Sequence, residues 1–185
     1  LKFNDGRISI YGNQEYVAES GYESKTSIAS TLTLDGGTIE TAATNNRATI
    51  GLFGKGATFN MNDGQVVNNF KNNDTDGQFA VAGNGTRRAT AQGENKPAED
   101  DGGIILNIKG STIESVQDCA IYLPGDHTTT IEDATIKGWC GIEIDSGKLN
   151  INSGTIQSTY SKGDGTRQYK ANGDGNYNFG SALAI

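Results

Sequence analysis

The stretch KLNINSGTI (148–156) alternates polar and apolar residues, breaks at Ser153-Gly154 and resumes on Thr155 and Ile156. Alternation of this kind marks a half-buried strand, and a polar break carrying Gly marks a turn. Degraded copies of the unit run along the chain: LKFNDGRI (1–8), LTLDGGTI (32–39), FNMNDGQV (59–66), LNIKGSTI (106–113) and TTIEDATI (129–136). Each copy predicts a first strand with two inward residues. These are Leu1 and Phe3, Leu32 and Leu34, Phe59 and Met61, Leu106 and Ile108, Thr129 and Ile131, and Leu149 and Ile151. After the turn, a second short strand turns Ile8, Ile39, Val66, Ile113, Ile136 or Ile156 inward.

Between copies lies another alternating motif: ATIGL (48–52), FAVAG (79–83), CAIYL (119–123), CGIEI (140–144) and SALAI (181–185). It predicts a third strand. The steps from Leu106 to Thr129 and from Thr129 to Leu149 are 23 and 20 residues, a period at which solenoids stack each unit on the apolar face of the next. With three short strands per turn, no helical period and no leucine-rich signature, the expected fold is all-β: a parallel β-helix solenoid forming a single domain over 1–185. Irregular spacings become insertions, chiefly the polar, Gly-rich loops at about 83–103 and 157–180. Residues 9–31, with Tyr11, Tyr16, Tyr22 and Ile28, find no place in the repeat.

Composition narrows the function classes. Gly is 26 of 185 residues, about twice the usual share of roughly 7%, so turns are many. The net charge of -7 is spread without a basic stripe, which speaks against a nucleic-acid partner. No apolar run approaches the roughly 18 residues that span a bilayer, so no membrane partner is expected, and no stretch reads as a signal peptide. The chain opens at Leu1 inside a repeat and closes on SALAI without a polar cap. Uncapped solenoid turns have sticky edges, and the expectation is a piece that continues into further turns or docks on another subunit.

The pair CAIYLPGDHTTTIEDATI (119–136) and CGIEIDSGKLNINSGTI (140–156) resembles right-handed parallel β-helices of the pectin-lyase-like class. It is more similar to the non-enzymatic repeats of gut-bacterial surface proteins and phage virion proteins than to the enzymes. The resemblance covers about four fifths of the chain, and its motif is structural. It implies a right-handed coil, in agreement with the chirality of parallel crossovers, and an extracellular setting. The pectate lyase and polygalacturonase motifs do not occur in the sequence.

Several residues could carry chemistry. Cys119 and Cys140 hold matching positions one turn apart and should stack, either as buried thiols or as a disulfide; two cysteines fall short of a zinc set. Asp118, Glu143 and Asp145 lie near the third strand, with Glu143 expected outward beside Tyr122 and Trp139 outward beside Asp118. Clustered carboxylates of this kind would suit a polysaccharide lyase or glycoside hydrolase, yet basic residues near them are few and His127, the only histidine, is expected in a turn. Asp5, Asp35, Asp63 and Asp133 recur at turns, where turn chemistry explains them more simply than a calcium ladder. The column Thr49, Ala80, Ala120, Gly141 and Ala182 is uniformly small and is expected to face outward, either as a packing face for a loop or neighbouring copy or as a tight corner. Arg7, Thr38, Gln65, Thr112, Thr135 and Thr155 form an outer column whose threonines raise a minor ice-binding alternative.

The expected function is a non-catalytic structural or attachment β-helix of an extracellular assembly, either a phage virion fibre or decoration protein or a bacterial surface adhesin. It would present its loops to a glycan or cell-surface protein, as a homotrimer or larger assembly. Tyr122, Trp139, Tyr160, Tyr169 and Tyr177 are the candidate sugar platforms. No cofactor, no metal and no catalytic residue is assigned; the alternative is a pectin-lyase-like enzyme.

Overall fold

The computed structural model describes residues 2–3, 8–11, 15–17, 23–25, 30–41, 48–70, 78–84, 87–89, 95–97, 103–161 and 180–185. The described residues form strands and turns with no helix. In chain order the strands are β1 (Lys2–Phe3), β2 (Ile8–Tyr11), β3 (Glu15–Val17), β4 (Glu23–Lys25), β5 (Thr31–Thr41), β6 (Ile50–Phe53), β7 (Thr58–Asn68), β8 (Val81–Asn84), β9 (Arg87–Ala89) and β10 (Asn95–Pro97). They continue as β11 (Ile104–Lys109), β12 (Ser111–Ser115), β13 (Cys119–Leu123), β14 (His127–Glu132), β15 (Ala134–Gly138), β16 (Cys140–Ile144), β17 (Lys148–Ile151), β18 (Gly154–Ser158) and β19 (Leu183–Ala184).

Two sheets of parallel strands make up the body, a solenoid- or barrel-like arrangement. One runs β17-β14-β11-β7-β12-β15-β18, with β5 beside β7 and β1 beside β5; the other runs β19-β16-β13-β8-β6-β2. Register repeats once per turn of chain. Leu32 pairs with Phe59, Phe59 with Leu106, Leu106 with Thr129, and Thr129 with Leu149. After the turn Ile39, Val66, Ile113, Ile136 and Ile156 form a second column. On the third strands Ile50, Val81, Ile121, Ile142 and Leu183 form another. The repeat unit read from the sequence is therefore the unit that pairs.

The core lies between these columns, with Phe59, Met61, Leu106, Ile108, Ile113, Ile121, Ile131, Ile136 and Ile142 all fully or almost fully buried. The outermost described turn is less covered, Leu149 being half-buried and Ile151 44% exposed.

Turn chemistry explains how a first strand passes into a second. The bend between β11 and β12 sits on Gly110 at φ 58°, and the equivalent bend between β14 and β15 on Asp133 at φ 50°. Asp is among the few side chains that tolerate this left-handed region. Asp133 is held there by Ser153 of the next turn, whose hydroxyl donates to Oδ1 at 2.7 Å and accepts from the Asp133 N–H at 2.9 Å. Asp63 Oδ1 accepts from the Gly64 N–H, and Asn62 Nδ2 donates to Asp35 Oδ1 at 2.7 Å. The recurring turn carboxylates among the described residues are thus engaged as turn acceptors.

Two expectations need correction. The first copy, 1–8, is not a first-strand unit: Lys2 and Phe3 pair with Glu40 and Thr41 at the far end of β5, while Ile8 and Ile10 pair with Ile50 and Leu52 on β6. Ile8 is a third-strand residue, and Tyr11 stands in register with Phe53. Apolar alternation looks alike in any strand, and only the partner ladder sets the register. The second concerns the excursions. Within 83–103, β9 and β10 pair antiparallel, as do β3 and β4 within 9–31, so these segments carry short hairpins of their own. Tyr16 pairs with Ser24 in the second hairpin; Tyr22 and Ile28 lie outside the described residues.

The inward and outward assignments can be tested on one sheet and one core. Ile121→Ala, at a fully buried position, is expected to cost about 2–5 kcal/mol in urea unfolding. Ile105→Ala, at a residue 37% exposed, should cost under about 1 kcal/mol. Equal losses would contradict the assignment.

Candidate functional site

The face that gathers the sequence candidates is built by the corner leading into each third strand. Polar side chains tie this corner to the turn beside it. Asn68 Nδ2 donates to the Phe79 carbonyl at 3.0 Å, Ser115 Oγ to the Gln78 carbonyl at 2.7 Å and Ser158 Oγ to the Trp139 carbonyl at 2.8 Å. At Gly138 the chain is so close to its neighbour that a Cβ would lie 2.6 Å from the Asp118 carbonyl oxygen. Only a residue without a side chain fits, and after the single residue Trp139 the chain is already in β16.

This tightness changes the phase of the strand. Ala120 and Ile121 are consecutive, yet both are fully buried members of the interior cluster. Ala80 is buried in the same cluster, and a Cβ on Gly141 would come within 2.6 Å of Ile156 Cγ2, an inward side chain of β18. Thr49 is buried too, its hydroxyl donating to the Val67 carbonyl at 3.2 Å. The small-residue column Thr49, Ala80, Ala120 and Gly141 therefore points into a tight corner and is not an outer packing face. Ala182, at the edge, is exposed.

The cysteines shift in the opposite direction. Cys119 and Cys140 pair in register as free, buried thiols, but they sit beside outward Glu143 and not in the apolar interior. Cys119 Sγ donates to Glu143 Oε2 at 3.3 Å. One ligand atom from each of Cys119, Cys140 and Glu143 lies within 4.8 Å of the others. The Cys119 thiol is held well above the usual thiol range by Cys140 beside it, by burial, and by the negative charge of Asp118 and Glu143. It is consequently no thiolate nucleophile in this state.

Around this trio the other candidates divide. Tyr122 is in register with Glu143, as expected, and is half-buried. One face of its ring is stacked on Phe79, centroids 4.7 Å apart and planes 26° from parallel, an aromatic partner the sequence reading missed. Trp139 is not an outward platform: it is 3% exposed and meets Tyr160 edge-on at 5.3 Å. Asp118, 2% exposed, is a structural acceptor whose Oδ2 takes the Gln78 N–H at 3.1 Å and Oδ1 the Cys119 N–H at 2.8 Å. Trp139 and Asp118 do meet, through the Trp139 N–H and the Asp118 carbonyl at 2.9 Å. Tyr160 is half-buried and Asp145 exposed. Tyr169 and Tyr177, with most of 157–180, lie outside the described residues.

The outer Thr column is in register through Thr38, Gln65, Thr112, Thr135 and Thr155; Arg7 lies outside the described residues. Two residues further along, Glu114 pairs with Lys137 in register and forms an ion pair at 2.9 Å, so charge flanks the threonines.

His127 is not in a turn. It opens β14 in register with Ile104, shares an inward face with Thr129 and Ile131, and is 3% exposed. Its Nδ1 is 2.9 Å from Thr129 Oγ1, while its buried Nε2 makes no hydrogen bond among the described residues. A Cβ on Gly147 would lie 2.5 Å from the ring, so the imidazole is wedged against the turn below.

Burial lowers the His127 pKa from 6.5, against smaller opposing pulls from the Ser146 carbonyl and Asp126. With a depressed folded-state pKa, the unfolded chain binds the extra proton first. Stability therefore falls as pH drops below about 6.5 and is indifferent to this group above it. His127→Gln is expected to flatten that dependence. Urea unfolding at about pH 7.5 and about pH 5.5 should show a smaller difference in the variant than in the parent, and the absence of another histidine keeps the comparison clean. No protein-family model matches the chain, nor does any curated protein or solved structure, so the reading of this face rests on its own residues.

Proposed function

We propose that the chain is a right-handed parallel β-helix serving as a non-catalytic, rigid spacer in an extracellular assembly, either a phage virion fibre or decoration protein or a bacterial surface adhesin. One observation carries the coil: strands that neighbour each other in a sheet are a full turn apart in the chain. β7 adjoins β5 and β11, β11 adjoins β14, and β14 adjoins β17, with a third strand intervening in the chain each time. A barrel of consecutive strands would pair them in sequence order; a coil skips in this way. The hand follows from the right-handed preference of parallel crossovers.

The attachment role is supported by what the outer walls offer. They carry ladders of Asn and Thr, exemplified by Asn107 Nδ2 donating to Asn60 Oδ1 at 2.9 Å, and surface ion pairs such as Lys109 with Glu132 at 2.9 Å. The polar, Gly-rich stretches at about 83–103 and 157–180, expected from the sequence as excursions, would add to this wall, the second bringing Tyr160, Tyr169 and Tyr177. With Tyr122, these tyrosines are the proposed contacts for a glycan or a cell-surface protein, and a homotrimer is the natural form of a fibre built from such units. Polysaccharide cleavage is the weaker reading. Asp118 is occupied by two backbone N–H groups, His127 faces the interior, and Glu143 is bonded to a thiol.

A glycan panel separates the two. The expected outcome is retention of one or more glycans with no new reducing ends and no unsaturated products, and with Tyr169→Ala/Tyr177→Ala lowering retention by about tenfold or more. Turnover that disappears in Glu143→Gln would overturn the non-catalytic reading.

A further inference from the structure

We propose that Cys119, Cys140 and Glu143 bind a thiophilic divalent cation of the zinc class, clamping two adjacent turns at the third-strand sheet. Three features of the chain carry this. The first is convergence: ladder register sets Cys119 directly against Cys140, and one ligand atom from each of the three residues falls within 4.8 Å of the others. Zinc bonds of about 2.3 Å to sulfur and about 2.0–2.2 Å to carboxylate oxygen imply tetrahedral ligand separations of roughly 3.5 Å. The Cys119 Sγ to Glu143 Oε2 distance of 3.3 Å is already near that value. The Cys140 sulfur is within 4.8 Å of both other ligand atoms, and side-chain rotation would draw it inward.

The second feature is ligand chemistry. Two sulfurs and one carboxylate select a soft or borderline d10 ion over magnesium or calcium, which prefer sets made wholly of oxygen. The third is electrostatic. Once the thiols are ionised, the trio carries three negative charges, and among the described residues no Lys or Arg side chain pairs with Glu143. Binding a divalent ion would displace the two thiol protons to solvent and set positive charge among the three ligands, at a place where burying the anions alone would be costly. Glu143 is half-buried while both sulfurs are buried, so the ion enters from the Glu143 side, and the fourth tetrahedral position is left to water. The clamp does not depend on the attachment role and would operate in any protein with this fold.

The test uses the full chain, stripped with chelator, kept reduced, and titrated with Co(II) as a spectroscopic substitute for zinc. The expected result is a single equivalent bound, with a thiolate-to-cobalt charge-transfer band and the visible transitions of tetrahedral cobalt. Stoichiometric Zn(II) should displace it, and a large excess of Mg(II) or Ca(II) should not. Cys119→Ser and Cys140→Ser should each abolish the charge-transfer band while the far-ultraviolet circular dichroism stays that of the parent. Glu143→Gln should retain some thiolate absorption but bind at least about tenfold more weakly, since even an outer partner of a metal ligand is commonly worth that much. Absence of the band in the reduced parent chain would overturn the proposal whatever the variants do. A band that survives both serine substitutions, or an affinity untouched by Glu143→Gln, would overturn it equally.

Discussion

Parallel hydrogen bonding between one turn of chain and the next is the constraint on which everything else depends. Strands in such a ladder lie about 4.8 Å apart, and each side chain rests on its counterpart one turn away. A position therefore belongs to a column more than to a local sequence. Leu32, Phe59, Leu106, Thr129 and Leu149 share one inward column although one of them is a threonine. Thr129 is accommodated because His127, two residues earlier on the same face, meets its hydroxyl at 2.9 Å. The outer columns are stabilised in the same manner, by the Asn60 and Asn107 amides and by the Lys137 and Glu114 pair. Each such exposed contact is worth little singly; repeated at one spacing, they favour a single register.

The corners carry the second constraint. Between β15 and β16 the turn is only Trp139 in length, and Gly138 leaves no room for a Cβ. Past this corner two successive residues, Gly141 and Ile142, face the interior, and past the three-residue corner between β12 and β13 so do Ala120 and Ile121. Small side chains at the first of each pair follow from that geometry. Cys119 and Cys140, though buried, lie outside the aliphatic cluster, and Cys119 Sγ meets Glu143.

Polar groups inside this structure are placed, with few exceptions, where they close a backbone bond. Asp118, Ser115 and Asn68 each satisfy main-chain groups at a corner, the role expected of buried polar side chains. Among the described residues, the buried Thr41 hydroxyl makes no hydrogen bond, and two further places depart from the pattern. His127 keeps one ring nitrogen without a partner, and the Cys119, Cys140 and Glu143 trio gathers potential anions in one spot. Departures from satisfied, neutral burial are where a functional or switching role is physically most plausible.

The sequence alone determined the all-β class, the turn-to-turn columns of the repeats from Leu32 onward, and the pairing of Cys119 with Cys140. All three follow from periodicity, which is a local property that a ladder merely copies. Excursions were legible as breaks in that period, although the hairpins inside them were not. Tertiary structure decided the phase at the corners, the true partners of Lys2, Phe3 and Ile8, and the burial of Trp139, Asp118 and His127. The physical reason is the same in each case: alternation says that neighbours face opposite ways, while the close approach of backbones at the corners, and the identity of the strand alongside, decide which way is in. A Cys-Gly-Ile-Glu run (140–143) was visible from the start, but strict alternation puts Cys140 and Glu143 on opposite faces, and only the crowding around Gly138 brings them to the same one.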